Sequence, residues 1–427
     1  MIPLHPVPEA HHLCPFCQVR LAIRGWYIPG MRCLADLTCT QCGHEFYGDL
    51  PSGHGLHYPM LIEKITGKLH DHIGAGWFAE WLRLSYAQRH KNRVNFEVEE
   101  RQPIRCAILL NCLDRLYGHC VLKLLNAQYY LDHRTDLDLI VLVPRFLRWM
   151  VPDGVAAIWT VDLPLARGIE WNDWLAKEIS HRLEHIPECY LSLAFCHPHP
   201  KDVDIERFSR TKPFPLPEWE QRLRKPTVTF IRRSDRPWSS QHSALPWRLQ
   251  LLLNRREQSS RVVRLAKRLR MRFPQLDFAV VGLGPSGGLP KWILDLRAAE
   301  PNPVMEQAWC TRYAASHVVV GVHGSNMLLP SAHAGAIVEL MPSDRWGNMI
   351  QDILLQQDDQ RETLFRYRII PLSASVETVC EMITSLLRDW PASLLHMQRE
   401  WCAHEFLKAP SWSEARYALR EHGATRP

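Results

Sequence analysis

Residues His317 to Leu340 read HVVVGVHGSNMLLPSAHAGAIVEL, two apolar runs separated by a polar turn and a segment of small residues. His317–Val320 and Ala336–Leu340 are almost uninterrupted and rich in β-branched side chains, the pattern of strands buried on both faces of a parallel sheet. The residues between them predict a helix, so the segment is a βαβ unit. Its polar turn, Gly321-Val322-His323-Gly324-Ser325-Asn326, then falls at a strand's carboxyl end. Ligands of open α/β sheets collect there, and the amino terminus of a following helix favours a phosphate or another anion.

The same alternation extends outward from this segment. Thr227–Ile231 and Phe278–Val281 read as buried strands, Ser259–Arg272 as a basic amphipathic helix, Asn302–Ala315 as a second helix and Val376–Arg388 as a last one. In the other half, strand-like runs at Ile104–Leu110, Leu137–Val143, Ala156–Val161 and Cys189–Phe195 are joined through helical stretches at Cys120–Leu131 and Trp171–Arg182. Strands alternating with helices predict a parallel sheet in each half. The proline-rich, charged stretch His197–Trp219 cannot be a regular core element and marks a linker. The expected organisation is an N-terminal module at 1–50, an α/β domain at 51–200, a linker at 201–225 and a second α/β domain at 226–427, with a cleft between the two domains. Helices at Met60–Leu69 and Trp77–Arg89 would join the module to the first domain.

A chain of 427 residues is too long for one ordinary core, and 46% hydrophobic with 22% charged residues supplies well-packed interiors. The net charge is +6, and residues 201–275 hold 19 of the 51 Lys and Arg. Such a stretch suits a polyanion or a pyrophosphate, or simply solvated helix faces. It lacks the interleaved aromatics that stack on bases, which argues against nucleic acid. No run of eighteen apolar residues occurs, and MIPLHPVPEAHHLC has neither the basic nor the apolar region of a signal peptide. A soluble, cytoplasmic chain is expected. Most of the 13 cysteines sit singly in apolar segments, as reduced core thiols do.

Four cysteines are different. Cys14-Pro15-Phe16-Cys17 and Cys39-Thr40-Gln41-Cys42 are two CxxC knuckles separated by twenty-one residues, the spacing of a zinc ribbon. Each knuckle aims two thiolates at one point, and a closed four-thiolate site leaves no position for water, so this zinc is expected to be structural. Leu21–Tyr27 and Leu34–Leu37 would form the intervening strands, and the module offers a surface for a protein partner. Cys33 and His44 are spare ligands that two complete knuckles make unnecessary.

Three other motifs bear on the chemistry. Gly282-Leu283-Gly284-Pro285-Ser286-Gly287 matches a dinucleotide fingerprint in spelling, but Pro285 and Pro290 separate it from any helix and make it a flexible loop. The pairs Asp136-Leu137-Asp138 and Asp202-Val203-Asp204 have the form that holds a divalent metal, yet neither has the strand-end setting, and both are read as structural. Arg232 and Arg233 end a strand with forked donors suited to a diphosphate.

Together these pieces resemble glycosyltransferase family 61. The match is closest over Gln307–Pro342, where a helix precedes a strand, then GVHG, small polar residues, an apolar helix, a glycine and a strand ending Glu-Leu-x-Pro. Ser325-Asn326-Met327 stands where the family usually has Ala-Gly-Leu. The strand ending in Arg232-Arg233 also fits, and Tyr117-Gly118-His119 before an apolar helix looks like the family's N-terminal signature, with Lys123 where many relatives carry an acid. The resemblance covers about residues 100–390 and leaves the zinc ribbon outside.

It implies a GT-B architecture: two Rossmann-like α/β domains facing a cleft, plus the small N-terminal zinc ribbon. It further implies an inverting transfer from a nucleoside-diphosphate sugar, a UDP-sugar foremost, to a glycan, protein or metabolite hydroxyl, without a catalytic metal. Under that reading Arg232 and Arg233 clamp the diphosphate, and the amides of Gly324, Ser325 and Asn326 add donors. His323 bonds the diphosphate or sugar, Glu339 accepts from ribose hydroxyls, and His119, or else Asp114, is the base that deprotonates the acceptor. A core histidine satisfied by backbone is the alternative for His119 and His323. The alternative function is a catalytically degenerate GT-B scaffold, an adaptor or nucleotide-binding protein acting through its zinc ribbon.

Overall fold

The computed structural model describes residues 1–4, 11–71, 73–196, 203–239, 247–300, 302–351, 353–354 and 365–396. Asp202 lies outside them, as does the start of the proline-rich stretch at 197–202. The chain divides into two units, Met1–Arg210 and Thr211–Pro427.

The first unit contains two sheets. Strand β1 (Ile2–Pro3) belongs to the larger one. Strands β2 (Ala22–Tyr27), β3 (Leu34–Thr38), β4 (Glu45–Asp49), β5 (Leu61–Glu63) and β6 (Leu69–His70) form an antiparallel meander in chain order. Met60–Leu69, expected as a helix, is therefore a hairpin: Leu61 and Ile62 bury themselves against β4, and Gly67 supplies the left-handed turn at φ +69°. The expected helix that follows is present at Gly76–Ala87.

The larger sheet adds β7 (Phe96–Glu100), β8 (Cys106–Asn111), β9 (Asp138–Pro144), β10 (Ala157–Val161) and β11 (Glu188–Leu191) in the order β1-β11-β8-β9-β10-β7. Its four central strands are parallel and its two edges antiparallel. Strands β8, β9 and β10 progress in one direction and β11 returns to the other side of β8, so the order reverses between β8 and β11. The meander and this sheet share one hydrophobic core, in which Leu34, Leu37 and Phe46 lie with Leu109, Ile140 and Trp171.

The second unit is built on six parallel strands: β12 (Thr227–Arg232), β13 (Asp277–Leu283), β14 (Leu294–Ala298), β15 (Val318–Val322), β16 (Ala336–Met341) and β17 (Tyr367–Pro371), in the order β14-β13-β12-β15-β16-β17. This is a doubly wound sheet whose order reverses between β12 and β15. Every residue of β12, β15 and β16 is buried, as their unbroken apolar runs predicted. The helix Trp247–Arg272 packs beside Val376–His396, and Arg272 bridges to Glu377 and Glu381. Asn302 caps the helix Pro303–Ala314 by accepting from the Met305 N–H at 2.9 Å.

Candidate functional site

The four cysteines converge. Sγ separations are 3.5 Å for Cys14 and Cys42, 3.3 Å for Cys17 and Cys39, and 3.8 Å for Cys17 and Cys42. Four thiolates about 2.3 Å from a tetrahedral metal stand about 3.8 Å apart, so the donor set and its spacing fit one ion. The knuckles are built alike: Gln18 and Gly43, each following the second cysteine, take left-handed backbone at φ 61° and 74°. In the second knuckle the Cys42 N–H donates to Cys39 Sγ at 3.5 Å. Cys33 is not a fifth thiol of this cluster, since it is buried 3.4 Å from Asn111 Nδ2. His44 Nδ1 lies 3.3 Å from Cys42 Sγ, outside the set of four.

A second cluster forms where the order of the first sheet reverses. Strand β8 ends at Asn111, and three residues on Asp114 turns inward with no exposed side-chain surface. The helix Tyr117–Leu125 follows and presents His119 and Lys123, four residues apart, on the face that meets it. Lys123 Nζ donates to Asp114 Oδ2 at 2.8 Å and to the Leu113 carbonyl at 2.9 Å. His119 Nδ1 lies 3.3 Å from Asp114 Oδ1. Burial alone would raise the Asp114 carboxyl, but the Lys123 ammonium and His119 outweigh it and hold it well below the usual carboxylate range. Lys123, drawn down by burial and up more strongly by Asp114, stays charged. Lys123 is thus the counter-ion of Asp114.

Sequence reading missed one member. His54 Nε2 lies 2.9 Å from His119 Nδ1 and 4.0 Å from Asp114 Oδ2. His54 stands between two glycines, and no sequence motif marks it.

In the second unit, the register Ile231 to Gly321 brings Arg232 and Arg233 alongside Val322 and His323 at the reversal point. Met327 packs over Gly321 inside β15, where a Cβ would meet its Sδ at 2.4 Å and displace it. Arg233 is committed to the protein: Nη1 donates to the His323 carbonyl at 2.6 Å and to Asn326 Oδ1 at 2.8 Å, while Nε and Nη2 grip Asp235. Gly324, at φ +139°, makes room for it, since a Cβ would stand 2.2 Å from Arg233 Nη1. Asn326 in turn donates to the Val322 carbonyl at 3.2 Å. Ser325, which opens the following short helical turn, is half-buried.

His323 and Glu339 form a buried pair, Nδ1 to Oε1 at 2.6 Å. Glu339 has no exposed surface, and its other oxygen accepts from the Tyr367 hydroxyl. The carboxylate expected to accept from ribose hydroxyls therefore has both oxygens engaged inside the protein. Tyr367 was not foreseen, because β17 was not recognised as a strand.

Arg232 differs from its neighbour. It is buried, and its Nε and Nη1 have no hydrogen-bond partner. Burial and the nearby Arg297 and Arg255 cations push its pKa down. Its guanidinium lies against the Gly282–Gly288 loop: a Cβ at Gly284 would fall 1.8 Å from Nη1. Around it Gln258, Ser259 and Arg297 line a cavity of about 10 Å³. The glycine motif thus accommodates an arginine and runs on to β14 with no helix among its described residues.

The described members of the Asp-x-Asp pairs have structural partners. Asp138 accepts from the Arg105 and Cys106 N–H groups, Asp136 pairs with Arg134, and Asp204 caps the helix Ile205–Ser209.

No protein-family model and no curated protein matches the chain. The resemblance to glycosyltransferase family 61 accordingly rests on the quoted motifs alone. Among solved structures, the chain is similar to the ADP-heptose LPS heptosyltransferase II of E. coli, with 12% identity and a TM-score of 0.37, over 66% of this chain and 98% of that one. Among the described residues no helix is long and apolar enough to cross a membrane.

Proposed function

We propose that the protein is a glycosyltransferase that takes its donor, a nucleoside-diphosphate sugar with UDP as the first candidate, at the reversal point of the second unit's sheet. The observation that carries this reading is Arg232, a buried cation with unpartnered donors beside Arg255 and Arg297, at the place where doubly wound sheets hold ligands. Leaving such donors unpaired costs about 1–3 kcal/mol each, and an incoming diphosphate oxygen would recover it. The cavity beside Arg232 is too small for a phosphate, so the Gly282–Gly288 loop has to move outward as the donor enters. Arg233 and Asn326 then position the turn instead of clamping the phosphates, and Glu339 orients His323 instead of a ribose. The amides of Gly324 to Asn326 remain the backbone donors of this reading.

Inverting transfer also needs a base, and His119 of the first unit has the equipment for it: an ionised carboxylate, Asp114, beside its Nδ1. The four cysteines would hold a structural zinc, and no step of the transfer is assigned to it. The expected setting is the cytoplasm, with a glycan, protein or metabolite as acceptor.

Thermal-shift measurements with UDP-, GDP-, ADP- and CMP-sugars test the donor site, because a ligand selective for the native state raises Tm. A rise with one nucleotide class, followed by release of that nucleotide on incubation with acceptors, supports the transferase. Binding without any transfer or donor hydrolysis favours the nucleotide-binding adaptor, and no rise with any nucleotide removes both.

A further inference from the structure

The loop that joins β4 to β5 in the cysteine-bearing meander brings His54 to His119. From this we propose that the ribbon sheet is a working part of the base site, delivering His54 as a second acceptor that, together with Asp114, keeps the proton of His119 on Nδ1 and leaves Nε2 bare to accept another. The proposal rests on the reading of His119 as the base.

The delivery is over-determined. Where β4 ends, Asp49 accepts from buried Arg32 at 2.7 Å, and Arg32 also donates to the Phe78 carbonyl at 2.6 Å. The Leu50 N–H donates to the Cys33 carbonyl at 2.8 Å, which ties the loop to the meander. On the other side, Ser52 Oγ donates to the Ser192 carbonyl at 2.8 Å and the Gly53 N–H to the Leu193 carbonyl at 2.7 Å, just beyond β11. Gly53 turns at φ +58°, and a Cβ there would meet Lys123 Cε at 3.1 Å. The next residue is His54, held between Trp77 and Phe78 with ring centroids 5.2 and 5.3 Å away.

The proton's place follows from charge. His119 Nδ1 faces two groups, His54 Nε2 at 2.9 Å and Asp114 Oδ1 at 3.3 Å. Asp114 is ionised against Lys123 and can only accept, so a bare Nδ1 would point its lone pair at a carboxylate. A protonated Nδ1 satisfies both neighbours. His54 is suited to accept, since burial, with His119 next, pushes its pKa down to about 3 and keeps it neutral. Of the other charges facing it, Asp114, 4.0 Å away, favours its protonation, while Lys123 and Arg32 oppose it, and burial prevails.

His54, Asp114 and His119 could instead be ligands of a second metal. The Lys123 ammonium already neutralises the carboxylate.

Ring tautomers read by long-range ¹H–¹⁵N correlation on full-length protein with labelled histidine decide the matter, with the His119 signals assigned by their loss in His119→Gln. We expect the Nδ1–H form in the native protein, its conversion to a mixture in His54→Leu, and its retention in His54→Gln, whose amide oxygen reaches the same point. Where transfer is measurable, His54→Leu lowers kcat about tenfold with KM unchanged, and His54→Gln restores it. The proposal is overturned by an Nε2–H form in the native protein, by no tautomer change in His54→Leu, or by elemental analysis finding a second metal that His54→Leu removes. The tautomer is read in the resting protein, so a protein without transferase activity still decides it.

Discussion

At Arg232 a single side chain carries two opposed consequences. Its Nε and Nη1, buried without partners, are a burden on the free protein, and under the proposed function they anchor the donor's diphosphate. Arg232→Leu should therefore raise the Tm of the ligand-free protein and abolish the nucleotide-dependent rise. A variant whose Tm still climbs with the nucleotide would place the phosphates elsewhere. Arg232 and Arg233 are adjacent and chemically identical, and the sequence marks both as diphosphate ligands. Only the register against β15 separates them: it puts Arg233 within reach of the His323 carbonyl and Asn326, while Arg232 turns under the glycine loop. The same holds for Glu339, whose strand-end position was legible but whose engagement by His323 and Tyr367 was not.

At the scale of elements, the helix Tyr117–Leu125 and the loop from β8 are joined by one buried ion pair. Asp114→Asn leaves the Lys123 ammonium buried and uncompensated, at an expected cost of about 3–5 kcal/mol in urea unfolding. The double variant Asp114→Asn with Lys123→Met should recover most of it. A single variant costing under about 1 kcal/mol would show that Lys123 finds another partner. The meander makes a second prediction. Since β2 to β6 share the core of the first unit, loss of a zinc held by the four cysteines, as proposed, should be felt beyond the knuckles. Structural zinc sites contribute on the order of 10 kcal/mol of binding free energy. A strong chelator, or Cys39→Ser, should lower the Tm of the unit as a whole, and elemental analysis should find one zinc per chain. Full retention of Tm after chelation would make the cysteine cluster dispensable for folding.

For the whole molecule, acid lability is written into three buried neutral histidines. Burial, the first cause for each, pushes His54 down to about 3 and His317 and His333 to about 4. In the unfolded chain they titrate near 6.5. Below that pH the unfolded state takes up protons that the native state refuses, so stability is intact above about pH 6.5 and falls as pH drops towards 4. Each histidine contributes a slope of about 1.4 kcal/mol per pH unit in that window. His317 shows the cause in atoms, since its Nδ1 accepts from the Thr227 N–H at 3.1 Å and protonation would forfeit that bond. Asp114, with its depressed pKa, adds its own loss only below the unfolded carboxylate range near 3.9. Calorimetry from neutral pH to pH ~4 checks this, and a flat Tm across that range would contradict it.

Local pattern by itself determined the sheet strands that are buried on both faces, because a run such as VVVGV or AIVEL has no other stable setting, and it determined the clustering of the four cysteines, because CxxC geometry is local. The polar turn of 321–326 was likewise placed at a strand end without coordinates. Short strands escaped: β1, β4, β5, β6, β7, β14 and β17 carry few residues, and their state is set by the neighbour that pairs with them. Partnership was decided only by the tertiary structure. His54 and His119 are sixty-five residues apart and meet because the meander packs into the core of the α/β sheet. Which arginine is satisfied and which is left bare depends on strand register. Such contacts join residues distant along the chain, and no local periodicity encodes them.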